Sequence, residues 1–230
     1  MENIKKELKR ISKVERKRQN LYFFKTNKGQ YSEKDIFIGV SVGDIRKIAR
    51  NNLFVKLEEI KILLDSEIHE ERMCGLLILV EKYSISKDKT QIYDFYLKHL
   101  DSVNNWDLVD STAPKIIGSF LFKKKKDFLY ELAASENLWK RRIAIVSTFY
   151  FIKRGKFKDS LKISEKLLQD KEDLINKSVG WMLREIWKRN SLLVEKFLRK
   201  NYKKLSRTTL RYAIEKMEDK KRKIYLKGTF

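Results

Sequence analysis

One cysteine, one proline, two histidines and eight glycines in 230 residues leave little material for several common architectures. A single thiol allows no intrachain disulfide, and with His69 and His99 as the only imidazoles a four-ligand zinc site is not expected. Cys74 lies inside the apolar run Met73 to Val80, where it reads as a small buried core residue, and both histidines read as isolated. Apolar stretches of membrane-spanning length are absent, and so is any lipidation motif, which argues against a membrane partner. Met1 to Leu21 is charged and amphipathic without the continuous apolar core of a secretory signal, so a cytoplasmic location is expected. Acidic residues are also in short supply: 31 Asp and Glu face 53 Lys and Arg, a formal charge of +22, and the natural partner of such a chain is a polyanion.

With breakers so scarce, apolar residues recur at three- and four-residue spacing nearly throughout, and strand alternation is nowhere sustained. Leu76, Leu79 and Val80 form one stripe, Ile143, Val146 and Tyr150 another, and Val179, Met182, Leu183 and Ile186 a third. The pattern predicts helices near 2–24, 42–52, 56–65, 69–84, 88–99, 104–122, 126–134, 138–154, 158–169, 173–189, 191–203 and 206–218. Trp106, Arg142 and Trp181 stand 36 and 39 residues apart in comparable helices, the interval of a helix pair. The expected fold is therefore all-α: a HEAT-like helical-repeat solenoid of five to six helix pairs, one domain over 1–230, curved with a basic concave face.

Charge gathers in particular places. Residues 1–28 hold ten basic groups against three acidic, residues 200–227 eleven against three, and Lys123 to Lys126 form a run. A charge run is usually a solvated face. Basic residues beside aromatics are more informative: Lys140, Arg141 and Arg142 follow Trp139, Lys177 and Arg184 flank Trp181, and Arg207 and Arg211 precede Tyr212. These are the candidate phosphate contacts. In the segment Asn104 to Pro114, Trp106 and Asp110 are four residues apart and share a helix face, with Pro114 kinking or restarting the helix. On spacing alone, core packing for Trp106 and a capping or salt-bridge role for Asp110 have the stronger claim.

Five stretches in order change that balance: Asp35–Arg46 (DIFIGVSVGDIR), Asn105–Asp110 (NWDLVD), Leu138–Ala144 (LWKRRIA), Asn176–Glu185 (NKSVGWMLRE) and Ser206–Glu215 (SRTTLRYAIE). Together they resemble the AlkD-like family of DNA alkylation repair proteins along nearly the whole chain. The resemblance implies a HEAT-like solenoid and a monomeric enzyme that acts on duplex DNA, releasing positively charged N3- and N7-alkylated purines. It puts the family's catalytic aspartate at Asp110, its sugar- and backbone-contacting tryptophans at Trp106 and Trp181, and its active-site arginine at Arg142. It further implies that the lesion stays in the duplex rather than entering a deep pocket, with no cofactor and no metal. One departure stands out. Where relatives often carry Gly-Val-Arg-Val-Pro, or glutamine for that arginine, this chain has Gly39-Val40-Ser41-Val42-Gly43. Serine cannot reach as far as arginine or glutamine, and Gly43 lacks the rigid helix start that proline supplies.

The implied chemistry suits these residue types. A cationic alkylpurine is already a good leaving group, so a carboxylate beside the deoxyribose can assist by stabilising the oxocarbenium-like cation that develops. The same carboxylate can orient the attacking water, while tryptophan faces attract the cationic sugar and exclude bulk solvent. Ser41 and Gly43 keep a second possibility in view, a family member that binds or bends DNA without cutting it. A helical-repeat scaffold for RNA or protein is a third.

Overall fold

The structure, a computed structural model describing residues 1–230, is built from helices, with a single isolated bridge between Ile36 and Ile68 as its only strand-like pairing. The helices are α1 (Glu2–Arg10), α2 (Val14–Phe23), α3 (Val42–Asn51), α4 (Leu57–Leu64), α5 (His69–Ile85), α6 (Lys89–Lys98) and α7 (Trp106–Thr112). They continue with α8 (Ser119–Leu121), α9 (Asp127–Leu132), α10 (Leu138–Ser147), α11 (Phe149–Ile152), α12 (Lys158–Lys166), α13 (Asp173–Trp187), α14 (Ser191–Asn201), α15 (Arg207–Ala213) and α16 (Asp219–Lys227). Helices α5, α7, α10, α13 and α15 begin 37, 32, 35 and 34 residues apart, which is the helical-repeat period expected of a solenoid.

The chain forms two compact units, 1–112 and 113–230. In the first, α5 is the hub. Every residue from His69 to Val80 is buried, and α3, α4, α6 and α7 pack around it, which is why its apolar residues run without a polar face. Cys74 is fully enclosed here, as its apolar setting implied. In the second unit α10 packs on α9 and α12, and α13 lies against α10, α14 and α15. The α13–α15 approach depends on Gly180, where an added Cβ would sit 2.4 Å from Tyr212 Cβ and 2.7 Å from the Thr209 carbonyl.

Helix starts follow local chemistry. Side chains of Ser41, Asp88, Asn137, Asn190 and Ser206 accept backbone N–H bonds at the beginnings of α3, α6, α10, α14 and α15. Ser41 Oγ accepts from Asp44 N at 3.1 Å and stands 2.7 Å from the Asp44 carboxylate. The short hydroxyl at this position is thus occupied in starting a helix.

Two local readings are corrected, and one element is added. The continuous helix expected over 2–24 is broken at Ile11–Lys13, because Lys13 N turns to bond the Gly39 carbonyl at 3.1 Å. The stretch expected as one helix over 104–122 contains a wider turn at Pro114–Gly118, where Gly118 N bonds Ala113 O at 2.9 Å, five residues back. The basic tail beyond 218 is helical as α16, anchored by buried Tyr225, whose carbonyl accepts from Tyr202 Oη at 3.0 Å.

Candidate active site

In the first unit, α7 carries Trp106 and Asp110. Asp107, Leu108, Val109 and Thr112 are buried, while Trp106, Asp110 and Ser111 keep part of their surface. This is the face that four-residue spacing predicted. The helix is fastened at both ends. Thr112 Oγ1 donates to Leu108 O at 2.6 Å and lies 2.7 Å from the enclosed Tyr96 hydroxyl. At the start, Asn105 Oδ1 accepts from Trp106 N at 2.8 Å, and Asp107 Oδ1 accepts from Leu108 N at 2.8 Å.

Beneath that start lies a buried charged cluster. His69 Nε2 is 2.9 Å from Asp107 Oδ2, and His69 Nδ1 is 3.6 Å from Asp35 Oδ2, too long for a hydrogen bond but within ion-pair reach. Arg72 pairs with the other oxygen of Asp35, and Asn105 Nδ2 donates to Asp35 Oδ2 at 2.7 Å and to Ser32 Oγ at 2.6 Å. Burial works against protonation of His69, yet the negative charge and hydrogen bond of Asp107, reinforced by Asp35, outweigh it and raise its pKa to about 9. Burial likewise penalises ionised Asp35, but His69, Arg72 and Asn105 hold its carboxyl below the usual value. The sequence reading of His69 as isolated is therefore corrected. Its partners come from elsewhere in the chain, one 34 residues before and one 38 residues after it, so no local motif announces them.

The next carboxylate on α5, Glu70, organises the loop before α3. It accepts from the backbone N–H groups of Ile38, Gly39 and Val40 at 3.0, 2.8 and 3.3 Å. Gly39 has φ +88°, and a Cβ there would lie 2.2 Å from the Lys13 carbonyl, so only glycine fits between this loop and the start of α2. The Ile36–Ile68 bridge completes the hold, with His69 N donating to Ile36 O at 2.8 Å.

Aromatic rings connect the cluster to Trp106. Phe24 lies 5.3 Å from Trp106 at an interplanar angle of 18°, 4.7 Å from Phe37 and 5.2 Å from His69. Exposed Phe23 meets Trp106 edge-on at 5.6 Å. Phe23, Phe24, His69 and Trp106 border a cleft of about 360 Å³ that is also lined by Arg16, Asn20, Val40 and Met73. Cys74 is no nucleophile, since burial, with Glu7 and Glu71 nearby, pushes its thiol up to about 12.

The second unit holds the remaining candidates on α10, α13 and α15. Arg142 is buried and its Nη1 donates to the Leu174 carbonyl at 2.5 Å, which fixes the guanidinium between α10 and the start of α13. Trp181 is half-buried, its ring 5.4 Å from Phe149. Several of the expected phosphate contacts already have partners within the protein. Arg141 makes a two-pronged pair with Asp170 at 2.6 and 3.2 Å and also donates to the carbonyls of Ser135 and Glu136. Lys177 pairs with Asp173 at 2.8 Å, Arg184 with Glu215, and Arg207 donates to Leu226 O at 2.9 Å. Lys140 is half-buried and Arg211 exposed.

The repeating helices define a helical-repeat protein, and each of its two units carries its own set of aromatic and charged side chains. The family model described as DNA alkylation repair enzyme matches residues 4–217, and the chain belongs to that family. Among solved structures, a predicted DNA alkylation repair enzyme from Enterococcus faecalis is similar at 19% identity and a TM-score of 0.68, over 90% of this chain and 97% of that one. AlkD2 from Streptococcus mutans is similar at 25% identity and a TM-score of 0.54, over 94% and 96%. The smu.31 protein of Streptococcus mutans UA159 gives 22% and 0.53, over 95% and 98%. No curated protein matches the chain. No helix is long and apolar enough to cross a membrane.

Proposed function

We propose that this repair-family protein is a DNA glycosylase that releases positively charged N3- and N7-alkylated purines from duplex DNA. The observation that carries the reading is the pairing of Trp106 and Asp110 on the one face of α7 that is not buried, on a helix fastened at both ends. A carboxylate held in this way can stabilise charge that develops at a deoxyribose without having to reorganise as it does so. Asp110 stabilises the oxocarbenium-like sugar as the bond to the cationic base stretches, and orients the water that attacks C1′. The Trp106 indole attracts the same cationic sugar through its face. Trp181 and Arg142 are carried over by resemblance, as a second sugar contact and a phosphate contact. The lesion supplies the leaving-group activation, so neutral damaged bases are poor substrates, and the protein acts as a monomer without cofactor or metal.

The test compares wild type with Asp110→Asn on duplex DNA containing N7-methylguanine, scoring released base and abasic sites. The expected result is base release by wild type, a loss of at least about 100-fold in the variant, and nearly equal duplex affinity. Tight duplex binding by wild type without base release would instead establish a binding-only member of the family.

A further inference from the structure

We propose that His69 is a positioning residue of this site: gripping Asp107 with one ring nitrogen and facing Asp35 with the other, it fixes the first turn of α7 and so sets where Trp106 and Asp110 stand. The rate part of this inference rests on the glycosylase reading, whereas the geometric part does not.

Three features support the assignment. First, the imidazole is 3% exposed and lies against the only two carboxylates that meet it, Asp107 from α7 and Asp35 from the loop before α3. Of the other charged groups around it, Arg72 on its own helix is committed to Asp35, and Glu70 is committed to the N–H groups of Ile38, Gly39 and Val40. Arg16 of α2 lines the same cleft from an exposed position. Second, side chains on either side of Trp106 tie the start of α7 to this cluster. Asn105 and Asp107 flank Trp106 in sequence, and both tie back to the cluster, one through Asp35 and the other through His69. Third, rings link His69 to Trp106 by a separate route, since Phe24 lies within 5.3 Å of both. A change at His69 therefore reaches Trp106 through the backbone of α7 and through the aromatic stack.

A protonated imidazole between two aspartates holds them together, and a neutral one can donate only a single N–H. Losing the proton removes the positive charge that pairs with Asp107 at 2.9 Å and with Asp35 at 3.6 Å, leaves the two carboxylates facing a neutral ring, and so loosens the start of α7. Misplacement of a catalytic group by about 1 Å can cost on the order of 100-fold in rate. His69→Ala is thus expected to slow single-turnover base release about 10- to 100-fold while duplex affinity stays within about threefold. His69→Gln places an amide nitrogen near the position of Nε2 and is expected to recover part of that loss, which a generally damaged fold would not do.

The decisive experiment monitors geometry and is independent of catalysis. The protein is labelled with 5-fluorotryptophan and its four fluorine resonances are followed from pH 7 to pH 10, with the Trp106 signal identified from Trp106→Phe. The Trp106 resonance is expected to move with a midpoint near 9 in wild type, and this titration is expected to vanish in His69→Gln and to shift in Asp35→Asn. The resonances of Trp139, Trp181 and Trp187 serve as internal controls and are expected not to share that midpoint. A Trp106 resonance that does not titrate, or that titrates unchanged in His69→Gln, overturns the proposal. Should wild type release no base, the glycosylase reading fails and the fluorine titration still decides the role of His69. If His69→Ala does not fold, His69→Gln and Asp35→Asn carry the test.

Discussion

His69 and Asp107 meet with 2.9 Å between Nε2 and Oδ2, both nearly closed to solvent, directly under the helix that presents Trp106 and Asp110. The folded pKa of His69, about 9, lies above the 6.5 of a free imidazole, so folding takes up a proton between those values. The associated stabilisation is complete below pH 6.5 and fades as pH rises through 9, with a ceiling of about 3 kcal/mol set by the size of the shift. Denaturant titrations should accordingly find wild type more stable than His69→Gln at pH 6, with the gap closing by pH 10. A gap that is constant with pH would mean that folding does not shift the titration of the ring.

Gly39 offers a test of the loop that carries Asp35. Its positive φ and the 2.2 Å that would separate an added Cβ from the Lys13 carbonyl leave no room for a methyl group. Gly39→Ala should cost about 2–3 kcal/mol through backbone strain and displacement of the start of α2. Because the same loop supplies Asp35, the damage should also lower the midpoint of the Trp106 fluorine titration. Equal stability in wild type and variant, measured by urea unfolding, would show that the loop accommodates the methyl by moving away from α2.

Which parts of this arrangement a sequence reveals follows from how far apart the interacting residues are. Trp106 and Asp110 are one helical turn apart, so their shared face was legible from spacing, as were α5 and α13 from their apolar stripes. His69 was not, because its meaning lies in Asp35 and Asp107, which reach it only through the fold. Asp35 and Asp107 both sit inside stretches that carry the family resemblance, and that was the available signal. The break between α1 and α2 was hidden for a similar reason: no glycine or proline marks Ile11–Lys13, and the turn is made by a bond to distant Gly39. Helix α16 was masked by its charge, with Tyr225 as its one buried residue.

Cys74 should behave as an inert part of the α5 core. Its thiol is fully enclosed and pushed up to about 12 by burial, so a thiol-specific reagent at pH 8 should label the native protein only as fast as it unfolds. Full labelling in denaturant and negligible labelling without it is the expected outcome. Rapid native labelling would mean that the first unit opens locally around α5.

The basic residues of the second unit should separate into two kinds when binding is measured against salt. Arg141 is held by Asp170 through two bonds and by two carbonyls, with 16% of its side chain and 8% of its partner's exposed, so its donors are largely spent inside the protein. Arg211 is exposed on α15. Each phosphate contact contributes about 0.9 to the slope of log affinity against log salt concentration. Arg211→Met should therefore flatten that slope by about 0.9 and leave thermal stability nearly unchanged. Arg141→Met should do the reverse, because it strands the Asp170 carboxylate in a mostly buried position and removes a tie between α10 and the segment before α13. A loss on the order of 3 kcal/mol in stability is expected from breaking such a pair, with an unaltered salt slope. If Arg141→Met instead flattens the slope at constant stability, the guanidinium leaves Asp170 for a phosphate when DNA binds, and the pair seen in the free protein is a latch that the nucleic acid opens.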